Sequence, residues 1–175
     1  MNKNIFSIVA TLSLTTVPMS TSAYQITFTG QINASSCTVA SGGPGLAMQL
    51  PTISVDDVKS IGAHAGAQTL RIPIECPGAT GGEAVTVALK PIVGSIVGDY
   101  VIKNTASFDA AENVGIVILN KDNELVSFMA GPTVLEETLD NTGKVDFFLS
   151  AAYAKTGVPT AGNVTAILPF SISYK

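Results

Sequence analysis

Polar and apolar residues alternate without a break from Tyr24 to Ala34. Tyr24, Ile26, Phe28, Gly30, Ile32 and Ala34 fill the even positions and are apolar or glycine. Gln25, Thr27, Thr29, Gln31 and Asn33 fill the odd ones and are polar. Successive side chains of an extended chain point to opposite faces, so this period of two predicts a strand with one dry face. Leu70, Ile72, Ile74 and Cys76 alternate with Arg71, Pro73 and Glu75 in the same way. Val85, Val87 and Leu89 alternate with Thr86 and Ala88, and Val145, Phe147, Leu149, Ala151 and Tyr153 form a further face. Val114 to Leu119 is apolar throughout. It runs into the turn signal Asn120-Lys121-Asp122-Asn123, after which Leu125-Val126 resumes. The last face takes in Val164, Ala166, Leu168, Phe170, Ile172 and Tyr174, with Ile167 and Pro169 as exceptions on the other side.

Gly- and Pro-containing loops separate these segments at Ser41 to Gly45, Pro77 to Gly82 and Thr156 to Gly162. Val97 to Asn113 reads as an exposed loop, and Asp56 to Gly62 has room for one helical turn. Short strands between such turns, with no amphipathic helix, predict an all-β sandwich. A chain of 175 residues is one domain of ordinary size, with no internal repeat and no interdomain linker.

Charge and the first residues add a compartment to this picture. Nine basic residues stand against 13 acidic ones. That balance argues against a nucleic-acid partner, which needs a basic face, and against attachment to anionic lipid. Lys3 is the only charge before Asp56. A short apolar run from Ile5 to Leu14 follows it, then Pro18 and the small residues of Thr21-Ser22-Ala23. This is the pattern of a secretory signal over residues 1–23, cleaved after Ala23. The run is too short to span a bilayer, which takes about 20 residues. In an oxidising compartment two cysteines, Cys37 and Cys76, read most simply as one disulfide, the other possibility being two buried thiols.

The stretch Phe28-Thr29-Gly30-Gln31-Ile32, followed by Cys37-Thr38-Val39, resembles the N-terminal motif of chaperone–usher pilins. The resemblance continues at Gln49-Leu50-Pro51, at Ile72-Pro73-Ile74-Glu75-Cys76, through Ala152 to Gly157 and Ala161 to Ala166, and ends at Phe170 to Tyr174 with a penultimate tyrosine. The resemblance implies an immunoglobulin-like sandwich lacking its final strand. Residues 37–175 would form the pilin domain and residues 24–36 a donor strand. Ile26, Phe28, Gly30, Ile32 and Ala34 would enter the groove of a neighbouring subunit, with Gly30 at the shallow pocket. Leu168, Phe170, Ile172, Tyr174 and the carboxylate of Lys175 would form the face that meets a periplasmic chaperone and borders the groove.

The partners implied are identical or related pilin subunits, that chaperone and an outer-membrane usher. The function implied is a structural subunit of a surface fimbria of a Gram-negative bacterium, supporting adhesion. A minor adaptor or terminator pilin, or a tip adhesin subunit, is the alternative. Pro169 conflicts with a regular ladder in the last strand, because it has no N–H to donate.

No constellation of catalytic residues accompanies this pattern, so no enzyme activity, cofactor or metal is expected. His64, the sole histidine, sits among small residues in Gly62-Ala63-His64-Ala65-Gly66. Asp56-Asp57 and Glu136-Glu137 are adjacent pairs, and neighbours in an extended chain point apart, so they read as solvated surface. Ser41 to Gly45 lacks the Lys-Ser/Thr of a phosphate loop.

Overall fold

A computed structural model describes residues 37–40 and 45–174. The expected signal segment, the donor strand with Ile26, Phe28, Gly30, Ile32 and Ala34, and Lys175 lie outside the described residues. Among the described residues nine strands occur: β1 (Thr38–Val39), β2 (Ala65–Glu75), β3 (Ala84–Leu89), β4 (Ile96–Val97), β5 (Val101–Lys103), β6 (Val114–Leu119), β7 (Thr133–Thr138), β8 (Lys144–Lys155) and β9 (Phe170–Tyr174). One 3₁₀ turn among the same residues, Val55–Asp57, overlaps only the start of the Asp56 to Gly62 segment expected to hold a helical turn. Among the described residues no helix is long and apolar enough to cross a membrane.

The strands form two sheets. The larger has the order β1-β2-β8-β6-β5-β4 and the smaller β7-β3-β9. Every pairing of strands is antiparallel. The main core lies between the sheets. It joins Ile72, Ile74, Phe147, Leu149, Ile116 and Ile118 of the larger sheet to Val85, Val87 and Leu89 of the smaller one. These are the faces that the alternation marks. β6 is apolar throughout because it is covered on both sides. Ile116 and Ile118 face the main core, while Val117 and Leu119 pack with Val101, Ala152 and Ala154 beneath Tyr100 and Leu125. A side chain could not be added at Gly115, since its Cβ would lie 2.5 Å from the Ile102 carbonyl oxygen of β5.

Several boundaries differ from expectation. Val97–Asn113 is not an exposed loop throughout: β5 lies inside it, with Val101 and Ile102 buried. Leu125-Val126 does not resume a strand. The Asn120 side chain accepts from the amides of Asp122 and Glu124 and closes a tight turn, leaving one bridge, Leu119 to Leu125. β7 gave no signal because one inward-side position is Glu137, paired with Lys121 at 2.7 Å. The final strand is the largest correction. The ladder covers only Phe170–Tyr174, and residues 164–169, though they alternate in burial, belong to no strand.

The disulfide joins Cys37 to Cys76, with their Cα atoms 4.1 Å apart. It fixes one pole of the sandwich, together with the loops after β2 and before β8. The Cys76 amide donates to Gly143 there, and the Tyr174 hydroxyl bonds the Glu83 carboxylate. β8 runs from this pole to the opposite one, where the Lys155 amide donates to Lys59 and the Thr156 amide to Asn113.

Candidate functional site: a groove between two unpaired walls

Among the described residues a groove of about 960 Å³ opens beside the two sheets. Its floor carries Leu70, Ile72, Ile116, Ile118 and Leu149 of the larger sheet and Leu89 of the smaller. Its walls are two extended segments. On one side Leu46, Met48 and Leu50 turn inward, half-buried, while Ala47 and Gln49 are exposed. On the other, Val164, Ala166, Leu168 and Phe170 turn inward while Thr165, Ile167 and Pro169 are exposed. Among the described residues no backbone hydrogen bond joins residues 45–53 to residues 164–169. Each wall thus has the side-chain habit of a strand without a ladder across the groove.

Specific contacts hold each wall in place. Tyr153 of β8 donates its hydroxyl to the Pro51 carbonyl at 3.2 Å, and burial pushes that phenol above its ordinary pKa. Asn104 grips the start of the other wall. Its amide nitrogen donates to the carbonyls of Ala111 and Asn163, and its oxygen accepts from the amides of Ala106 and Thr165, at 2.8–3.0 Å. That saturates the side chain and fixes Asn163 and Thr165 relative to β5. The Thr105 amide adds a bond to the Thr165 carbonyl.

The phase of β9 decides what its free edge offers. The Lys90 amide donates to the Pro169 carbonyl at 2.7 Å, so position 169 faces β3. Residues in an antiparallel ladder alternate between bonding one neighbour and the other. Ser171 and Ser173 therefore bond toward β3, and the N–H and C=O groups of Phe170, Ile172 and Tyr174 point the opposite way. In the smaller sheet β9 pairs only with β3 among the described strands. Proline at 169 is thereby accommodated: its nitrogen faces β3, its carbonyl is used, and the strand starts one residue later.

Of the residues expected on this face, Leu168 and Phe170 line the groove. Ile172 and Tyr174 lie farther along, opposite Val87 and Val85, and pack on the main core. The Tyr174 hydroxyl bond is the first cause that holds the Glu83 carboxyl below its usual range; the same bond raises the Tyr174 phenol. Leu46, Met48 and Asn104 were missed by sequence reasoning. The first two carry a signal, since with Leu50 they alternate over five residues. Asn104 carries none, because its role depends on segments about 60 residues away. The groove's described inward-facing residues, Leu46, Met48, Leu50, Val164, Ala166, Leu168 and Phe170, are apolar, and they offer burial along one strand-length slot beside a backbone edge.

Comparisons with known proteins agree with this geometry. The family model described as Fimbrial protein matches residues 26–175. The F17 fimbrial protein of Escherichia coli is 31% identical over 158 residues, covering 86% of this chain and 87% of the relative. The major fimbrial subunit SMF-1 of Stenotrophomonas maltophilia (strain K279a) is 30% identical over 158 residues, covering 85% and 90%. Among solved structures, a chaperone–usher pilus structure matches with a TM-score of 0.57 at 18% identity, covering 93% of this chain and 100% of that one. The P pilus rod subunit PapA matches with a TM-score of 0.56 at 17% identity, covering 79% and 99%.

Proposed function

The chain belongs to the fimbrial protein family and is a structural subunit of a bacterial surface fimbria, and from that premise we propose that it polymerises by strand exchange. The observation that carries this reading is the groove between two walls that alternate like strands and share no ladder. An extended segment laid between them completes the sandwich in the way that strand addition to a sheet edge requires.

Residues 24–36 supply that segment. Ile26, Phe28, Gly30, Ile32 and Ala34 form the one dry face, and nine residues from Ile26 to Ala34 extend about 30 Å. Phe170, Ile172 and Tyr174 offer the donor their outward N–H and C=O groups. Leu168 and Phe170 meet its apolar side chains within the groove. Residues 1–23 direct export and are removed. Before assembly a periplasmic chaperone covers the same slot with a strand of its own, contacting the face that ends at Lys175, and an outer-membrane usher passes the subunit on. Without a cover, the groove and the β9 edge would expose apolar surface beside unpaired backbone, the usual conditions for aggregation. The similarity to SMF-1, a major fimbrial subunit, supports the shaft over the tip as this subunit's place.

The test is deletion of Tyr24 to Ile32, followed by expression with the cognate chaperone and usher and negative-stain microscopy. The shortened subunit is expected to bind chaperone and fail to join the neighbouring subunit whose groove its donor strand would fill. Fibres of normal length would overturn the reading.

A further inference from the structure

We propose that the pole of the sandwich opposite the disulfide is a bearing surface for the next subunit, with the exposed side chains of Phe108, Val158 and Ile61 seated against the disulfide pole of a second copy. This rests on the strand-exchange reading above and adds to it a body-to-body contact outside the groove.

Chain length forces the two bodies together. The last donor position, Ala34, is followed only by Ser35 and Ser36 before Cys37. Three residue steps reach at most about 10 Å. Cys37 is locked to Cys76 at the disulfide pole. A subunit whose donor strand lies in a neighbour's groove must therefore rest its disulfide pole on whichever mouth of that groove the donor leaves by.

The direction of the donor selects the mouth. The free edge of β9 runs toward the disulfide pole, ending at Tyr174 beside Glu83. An antiparallel donor, like every other strand pairing here, ends at the far mouth near Val164. The donor's body then sits on the opposite pole of the acceptor, and this head-to-tail contact repeats without closing. A parallel donor would instead bring two disulfide poles together, which favours a closed pair over a filament.

The opposite pole has the surface such a contact needs. Phe108 is 80% exposed and Val158 82%, and Ile61 projects from the neighbouring loop. None of the exposed large apolar residues lies in the 77–83 or 140–143 loops of the disulfide pole. The loops that hold Phe108 and Val158 out are stitched to one another. The Asn163 side chain donates to the Phe108 carbonyl at 3.1 Å, the Asn113 side chain donates to the Val158 carbonyl at 2.8 Å, and the Thr160 amide donates to Glu112. At Gly162 the approach is so close that a Cβ would lie 2.5 Å from the Ala111 nitrogen. Apolar groups held outward by an ordered frame, at the place where chain length brings a second copy, fit a subunit contact.

Photocrosslinking in fibres of the full chain tests this. With Phe108→p-benzoylphenylalanine, adducts are expected on residues 77–83 or 140–143 of the adjoining copy. In a companion variant, Phe108→Ser with Val158→Ser, uptake of a peptide of residues 24–36 is expected to match the parent. Its fibres should dissociate in denaturant roughly ten-fold faster. Fibres with no such adduct, or with adducts only between two opposite poles, would overturn this contact alone. Failure of the unaltered chain to form fibres or take up the peptide would overturn the strand-exchange reading with it.

Discussion

Aspartate at Leu168, set beside the same change at Ile167, separates the two faces of the C-terminal wall. The residues are neighbours in a segment that belongs to no ladder. Leu168 turns into the groove, half-buried, and Ile167 turns outward, 56% exposed. With the groove open, neither carboxylate is deeply buried, so both variants should keep the fold and the disulfide. A donor strand changes the balance at one position only. Covering the remaining half of a leucine contributes roughly 1 kcal/mol, which the variant forfeits. A carboxylate there must also lose water against apolar side chains without a partner, which costs about 2–3 kcal/mol more. The sum of about 3–4 kcal/mol corresponds to a hundred- to a thousand-fold weaker binding. Fluorescence anisotropy of a labelled peptide of residues 24–36 on the purified mature chain reads this directly. Leu168→Asp should show that loss, and Ile167→Asp a change within about two-fold. Equal loss at both positions, or none at 168, would refute the assignment of the inward face.

Other perturbations follow from the same contacts. Cys37→Ser with Cys76→Ser opens a loop spanning 39 positions and should lower unfolding free energy in urea by about 4 kcal/mol in the loop-entropy account. Asn104→Ala removes four hydrogen bonds and should cost about 1–3 kcal/mol, with faster hydrogen exchange at the amides of Ala106 and Thr165. The Tyr174–Glu83 bond gives a pH signature. Because Glu83 is held below its usual range, its contribution is complete above that range and disappears as pH falls through the lowered value. Because Tyr174 is raised, its contribution is complete below the ordinary phenol value and disappears as pH climbs through the raised one. Glu83→Gln should therefore flatten part of the acid limb of a urea-midpoint profile. The rest remains with Asp140, which the Thr142 hydroxyl and two backbone amides also hold low.

Hydrophobic periodicity reports which side of a segment is buried, and that is why some features were readable before the structure and others were not. The faces of β2, β3 and β8 each cover one core, so a period of two located them. β4 and β5, with two and three residues, are too short to show a period. β7 hides because Glu137 interrupts its apolar side and is satisfied by Lys121 from another loop. Periodicity says nothing about backbone partners, however. Residues 164–168 alternate like the strand that continues them and yet have no ladder. That is the property on which the groove depends, and it emerges only when the neighbours on both sides are placed. Asn104 is invisible for a related reason: two of its four partners are nearby, but the two that fix the wall, Asn163 and Thr165, lie about 60 residues away.

The proline that breaks the C-terminal pattern shows how strictly the free edge is constrained. Backbone groups alternate in direction along β9, so a proline has a different effect at odd and even positions. At 169 the missing N–H would have pointed at β3, and its loss removes half of one hydrogen-bonded pair while the Pro169 carbonyl still accepts from Lys90. At 170, 172 or 174 a proline would delete a donor from the side that faces the slot, where an incoming strand has no other ladder along this wall. The exception therefore weakens the subunit's own sheet by a single bond and leaves every outward donor of β9 in place. A proline in the odd-numbered phase costs the subunit's own sheet that one bond but costs the outer edge nothing, and Pro169 falls in that phase.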